Sequence, residues 1–200
     1  MQQSLTDKTA IFWGQWVLVN TIGVAIIVTI SLIIGYIPHT ILGWSIIGIF
    51  ISIVQRTYLQ QYMWLEKWMV FSVIGWVIGV LVGKIAVGWN AGSWDVDWAL
   101  IGLSVGIAQY FSMRKHVYQA GWWILASSVA LIMAGSLGGA TALLEDWFMF
   151  KGLININKNI SETIGYILAA AVGGAVYGAF TGGWLIWFIR SKTRPMGAKR

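Results

Sequence analysis

Six polar side chains stand at recurring places inside long apolar runs: Asn20, Gln55, Ser72, Gln109, Ser127 and Thr181. Amides and hydroxyls there have one kind of chemistry open to them, hydrogen bonding in a low-dielectric medium, because an amide in hydrocarbon is costly unless it is paired. Groups able to move protons or hold metals stand elsewhere. His39 sits in a tight turn and His116 in a loop after Arg114-Lys115, neither with the Cys or carboxylate company that a metal or haem site needs. The Asp95/Asp97 and Glu145/Asp146 pairs flank apolar runs, where a solvated loop or a weak cation contact is the expected role, and the tract GSWDVDW lacks the ligand count of a calcium loop. No charged residue or histidine falls in the middle of a predicted span, although such a residue is the usual mark of a proton relay or coupled transporter. There is no cysteine, phosphate-binding glycine loop, nucleophile elbow or HExxH motif. The sequence predicts no enzyme, no metal and no cofactor.

The elements that must position the six polar residues are repeated. Trp44-x3-Gly48-x3-Ser52-x2-Gln55 recurs 54 residues later as Trp98-x3-Gly102-x3-Gly106-x2-Gln109, and a divergent copy reads Ala170-x3-Gly174-x3-Gly178-x2-Thr181. A second phrase, Trp16-x3-Asn20-x2-Gly23, is matched by Trp68-x3-Ser72-x2-Gly75 and Trp123-x3-Ser127-x2-Ala130. Steps of four, four and three keep residues on one helix face. Small residues at four-residue spacing let helix backbones approach closely, which matters in lipid, where dispersion replaces the hydrophobic drive between helices. Gly48, Gly75, Gly79, Gly102, Gly106, Gly174 and Gly178 are therefore the expected packing positions.

Composition assigns the medium. The chain is 58% apolar and 10% charged with a mean hydropathy of +0.74, against about 25% charged in soluble domains. At about 20 apolar residues per span, the uncharged intervals accommodate six helices. Ten of the Lys and Arg residues fall on one side (Lys8, Arg56, Lys67, Arg114, Lys115, Arg190, Lys192, Arg194, Lys199 and Arg200) and three, Lys84, Lys151 and Lys158, on the other. The positive-inside rule then puts both termini in the cytoplasm. The expected fold is an all-α integral membrane protein of six transmembrane helices. They form three parallel-repeat hairpins, at approximately 11–60, 66–115 and 117–190, in one membrane domain with a basic cytoplasmic tail, 191–200. Lys84 is expected to lie along the lipid with its ammonium at the headgroups, and Asp97 to start the fourth helix.

Two abundant features have ordinary expectations. The tail RSKTRPMGAKR reads as a topological signal touching anionic headgroups, so no nucleic acid is expected. Most of the fourteen tryptophans, including Trp13, Trp16, Trp68, Trp122, Trp123, Trp184 and Trp187, fall near span ends and read as an aromatic belt. The segment from Glu145 to Glu162 reads as the longest connecting loop, with a helix start near Ser161.

The W-x3-(N/S)-x2-G and G-x3-(G/S)-x2-Q phrases, with GWW-L-S after the basic turn at Arg114, resemble those of uncharacterised Trp- and Gly-rich multi-pass proteins of cyanobacteria and related bacteria. The resemblance runs from about Phe12 to Arg190 and implies a bacterial plasma or thylakoid membrane with repeated hairpins; it implies no activity. The functional expectation is a non-enzymatic protein acting by helix association, as a scaffold, assembly factor or accessory subunit. Its partners would be the lipid bilayer and either a membrane protein or a second copy of itself. The alternatives are a passive channel or facilitator for a small polar solute, with the six polar residues lining a vestibule, and a pigment- or quinone-binding protein.

Overall fold

The structure is a computed structural model and describes residues 2–33, 41–62, 67–87, 94–117, 119–150 and 158–192. The turn around His39, Trp64, Trp89 and the tail from 193 onward lie outside the described residues, as do the side chains of Asp95, Glu145 and Asp146. Among the described residues there are six helices: α1 (Gln2–Ile33), α2 (Ile41–Leu59), α3 (Trp68–Val87), α4 (Trp94–Met113), α5 (Trp122–Phe150) and α6 (Lys158–Lys192). All six are long and apolar enough to cross a membrane, and no strand occurs among the described residues. The helices follow from the medium: in hydrocarbon every backbone N–H and C=O must be satisfied internally, which a continuous helix achieves for nearly all of its residues. The chain is an integral membrane protein.

Each helix packs on its neighbours in the chain, and α1 against α6 closes the series into a ring. Arg190 Nη2 donates to Thr9 Oγ1 at 2.8 Å, so the start of α1 and the end of α6 lie at the same end of the bundle. Among the described residues no further helix pair approaches at backbone distance. Side chains fill the middle: Trp44 meets Trp98 edge-on at 5.1 Å between ring centroids, and Trp68 meets Trp123 at 5.8 Å.

Three expectations are corrected. Trp16, Trp68 and Trp123 are 0% exposed and belong to the interior, not to an aromatic belt. They lie one turn before Asn20, Ser72 and Ser127 on the same helix faces, so they follow those residues inward. The connection after Glu145 is shorter than it reads, because α5 continues through Glu145 and Asp146 to Phe150 and α6 begins at Lys158. Acidic and aromatic residues do not end a helix whose backbone is already propagating. Finally, Lys84 does not act alone: its Nζ lies 3.2 Å from Asp97 Oδ2, tying α3 to the first turn of α4. That helix starts at Trp94, three residues before Asp97.

Candidate functional site

The packing glycines decide which helices come close enough for polar side chains to meet. A Cβ on Gly75 would lie 2.6 Å from Val105 Cα and one on Gly79 2.6 Å from Ile101 Cα, so α3 rests directly on the α4 backbone. A Cβ on Gly102 would lie 2.8 Å from Ser128 Cα and one on Gly106 2.9 Å from Ile124 Cα, so α4 is seated on α5. A Cβ on Gly174 would lie 2.6 Å from Asn20 O and one on Gly178 2.9 Å from Val17 Cα, so α6 is seated on α1. Gly48 differs, because its space is taken by the Trp76 side chain.

Helix α2 is the exception within the ring, making the least extensive contacts with both of its neighbours. Residue types account for this. Where Gly106 and Gly178 allow backbone contact, the matching position of α2 is Ser52, and where α3 has Gly79, α1 has Ile27. An added side chain at a helix crossing holds the backbones apart.

All six polar residues are buried: Asn20, Gln55, Ser72, Gln109, Ser127 and Thr181 are at most 3% exposed. They occupy a layer between two apolar clusters. One cluster, nearer the chain termini, contains Phe12, Trp16, Leu59, Trp68, Trp123 and Phe188. The other contains Ile27, Ile47, Trp76, Val105, Leu131 and Tyr177. Within the layer Gln55 Nε2 donates to Asn20 Oδ1 at 2.8 Å, and Asn20 Nδ2 donates to Trp16 O at 2.8 Å. Gln109 is used from both ends: its Nε2 donates to Ser72 Oγ at 2.8 Å and its Oε1 accepts Trp123 Nε1–H at 2.7 Å. Ser72 Oγ in turn donates to Trp68 O at 2.7 Å. Trp16 Nε1 donates to Thr181 Oγ1 at 2.9 Å, and that hydroxyl donates to Tyr177 O at 2.6 Å.

The indole donors are what the sequence reading missed. Their signal was available, since each heads the W-x3-(N/S) phrase and shares a face with the polar residue. Trp16 reaches Thr181 and Trp123 reaches Gln109, but Trp68 Nε1 is buried without a partner. By repeat position its acceptor would be Gln55, which stands on the loosely packed α2. The other departure is Ser127, whose Oγ makes no hydrogen bond. By the same logic its partner would be residue 181, where the short Thr replaces Gln. Tyr177, one turn earlier on α6, brings its hydroxyl beside Ser127 and Gln55 instead.

Hydrogen-bonded amides, hydroxyls and indoles hold helices in register; they contain no nucleophile paired with a base and no group of appropriate basicity. Among the described residues no three His, Cys, Asp or Glu side chains group as metal ligands would. The fold and this layer define a multi-pass membrane bundle with a polar seam inside it. No family model, curated protein or solved structure matches the chain.

Proposed function

We propose that the chain is a non-enzymatic multi-pass membrane protein that acts by helix association, as a scaffold, assembly factor or accessory subunit. In this reading it is built as three parallel hairpins with both termini in the cytoplasm of a bacterial plasma or thylakoid membrane. The observation that carries it is the buried polar layer. A solute pathway needs polar groups facing water, whereas these six side chains are at most 3% exposed and lie between two apolar clusters. Their hydrogen-bonding capacity is largely taken up within the bundle, each bond contributing about 0.6–2 kcal/mol. What is left to meet other molecules is the outer surface. The parallel arrangement is supported by equivalent bonds at equivalent repeat positions, Trp123 to Gln109 and Trp16 to Thr181. The orientation rests on the ten-to-three distribution of basic residues.

Two measurements test the reading. The chain has no cysteine, so single cysteines can be placed at Lys8, Lys115 and Lys151 and labelled with an impermeant maleimide in intact cells. Labelling at position 151 alone is expected, and labelling at position 8 overturns the orientation. Native mass spectrometry of the protein from mild detergent, beside solute flux in liposomes, tests the activity. A stoichiometric protein partner or self-association supports it; flux of a small polar solute that is lost when Gln55 and Gln109 are both changed to Leu, with the fold intact, overturns it.

A further inference from the structure

The bundle's outer surface is not uniform, and its most unusual part lies where the third repeat departs from the other two. Trp122 and Trp184 stack at 6.0 Å with their planes 16° apart, and Trp187 meets Trp184 edge-on at 5.4 Å. At the matching repeat positions the chain has Gln15 and Lys67 in place of Trp122, and Tyr58 and Ser112 in place of Trp184. Trp122 and Trp187 are 49% and 40% exposed, so packing within the bundle does not account for them.

Trp122 forms a ridge between two apolar grooves. One, of about 580 Å³, lies between α4 and α5 and is lined by Leu103, Gly121, Leu125 and Ser128. The other, of about 520 Å³, lies between α5 and α6 and is lined by Phe180, Gly183, Trp184 and Trp187. Both grooves include Trp122 and Gln119, so they converge where α5 begins. Leu103 is ten residues from the end of the α4 span at Met113, and Phe180 ten from the end of the α6 span at Arg190. At 1.5 Å per residue each groove reaches about 15 Å inward, the depth of one leaflet of a hydrocarbon core about 30 Å thick. Where they meet the surface is polar and positive. Gln119, exposed, holds a left-handed backbone (φ 67°), and its carbonyl accepts the Trp122 N–H at 3.1 Å. Arg114 and Lys115, both exposed, stand on the turn leading to it.

We propose that this surface binds one two-chain phospholipid with an anionic headgroup. The chains lie in the grooves on either side of Trp122, and the headgroup rests over Gln119 near Arg114 and Lys115. Two grooves of leaflet depth joined at one polar point match two acyl chains joined at one headgroup. The cationic turn supplies the charge complementarity, as basic juxtamembrane residues do for anionic lipids. Neither the scaffold role nor the number of partners enters this inference.

Full-length protein stripped of lipid in mild detergent, titrated with defined lipids and read by native mass spectrometry, tests it. The probes are phosphatidylglycerol, phosphatidylcholine and single-chain lyso-phosphatidylglycerol. One phosphatidylglycerol per protein is expected, bound about tenfold more tightly than either competitor, a readily resolved difference in Kd. A Cβ at Gly183 or at Gly121 would meet nothing within 4 Å, so Gly183→Leu and Gly121→Leu each fill one groove without a clash. Each should weaken phosphatidylglycerol binding about tenfold with the melting midpoint unchanged, and Lys115→Gln should reduce the preference over phosphatidylcholine. Equal binding of all three lipids, or unchanged affinity in whichever groove-filling variants fold, overturns the proposal. So does a photo-crosslinker at Leu125 that captures a polypeptide in place of lipid.

Discussion

Gln55 and Gln109 end the same sequence phrase, Trp-x3-Gly-x3-(Ser/Gly)-x2-Gln, yet replacing them by leucine is expected to have different effects. Leucine has nearly the volume of glutamine, so packing changes little and the polar terms decide. Gln109→Leu removes two buried bonds, to Ser72 Oγ and from Trp123 Nε1, and leaves the indole N–H without an acceptor. Two membrane hydrogen bonds at about 0.6–1.7 kcal/mol each, with the indole desolvation as the larger component, give a loss of about 2–4 kcal/mol. Gln55→Leu removes the bond to Asn20 Oδ1, while Asn20 Nδ2 keeps Trp16 O. Trp68 Nε1 loses nothing, since it has no partner to begin with, and the Tyr177 hydroxyl beside Gln55 still has Ser127 next to it, so the expected cost is about 1 kcal/mol. Unfolding in a sodium dodecyl sulfate titration followed by circular dichroism measures both. A double-mutant cycle sharpens the comparison: Trp123→Phe in the Gln109→Leu background removes the stranded donor, so it should cost about 1 kcal/mol less there than in the native protein. If Gln55→Leu costs as much as Gln109→Leu, or if Trp123→Phe adds its full cost to Gln109→Leu, the account of the layer is refuted.

Three further outcomes follow from the packing. Gly178→Leu, whose Cβ would lie 2.9 Å from Val17 Cα, should destabilise the same titration by about 3 kcal/mol through forced separation of α1 and α6. Gly139→Leu, with open space around its Cβ, should be tolerated, and equal effects would remove backbone contact as the cause. Amide hydrogen exchange in detergent should find α2 the first of the six helices to exchange, because both of its interfaces carry a side chain where others have glycine; α1 or α6 exchanging before it would contradict that. Lys84→Met should destabilise more than Lys84→Met combined with Asp97→Asn, by about 1 kcal/mol, since the single change leaves a part-buried carboxylate without its partner. A cycle with no coupling would mean that the pair contributes nothing.

Much of the bundle's interior was legible because the relevant signals are local. Burial of the six polar residues follows from their place on the glycine stripes, and six of the seven packing glycines approach a neighbouring backbone. The interior tryptophans were not legible as such, because an indole near a span end satisfies the rule for interfacial residues equally well. Only helix rotation distinguishes Trp122, exposed, from Trp123, buried, although they are adjacent in sequence. The Lys84–Asp97 pair was likewise hidden, since each residue alone has a satisfactory explanation at a helix end and only the α3–α4 crossing brings them within 3.2 Å.

The sequence by itself determined the medium, the number of spans and the faces on which small and polar residues lie, because these depend on transfer free energy and helical period. Tertiary structure alone decided which polar groups find partners, because a hydrogen bond depends on helix separations to within a few tenths of an ångström. Those separations depend on both residues at each crossing. Ser52 and Ile27 thus loosen α2, and Trp68 is left without the acceptor that Trp16 and Trp123 have, although all three head similar sequence phrases.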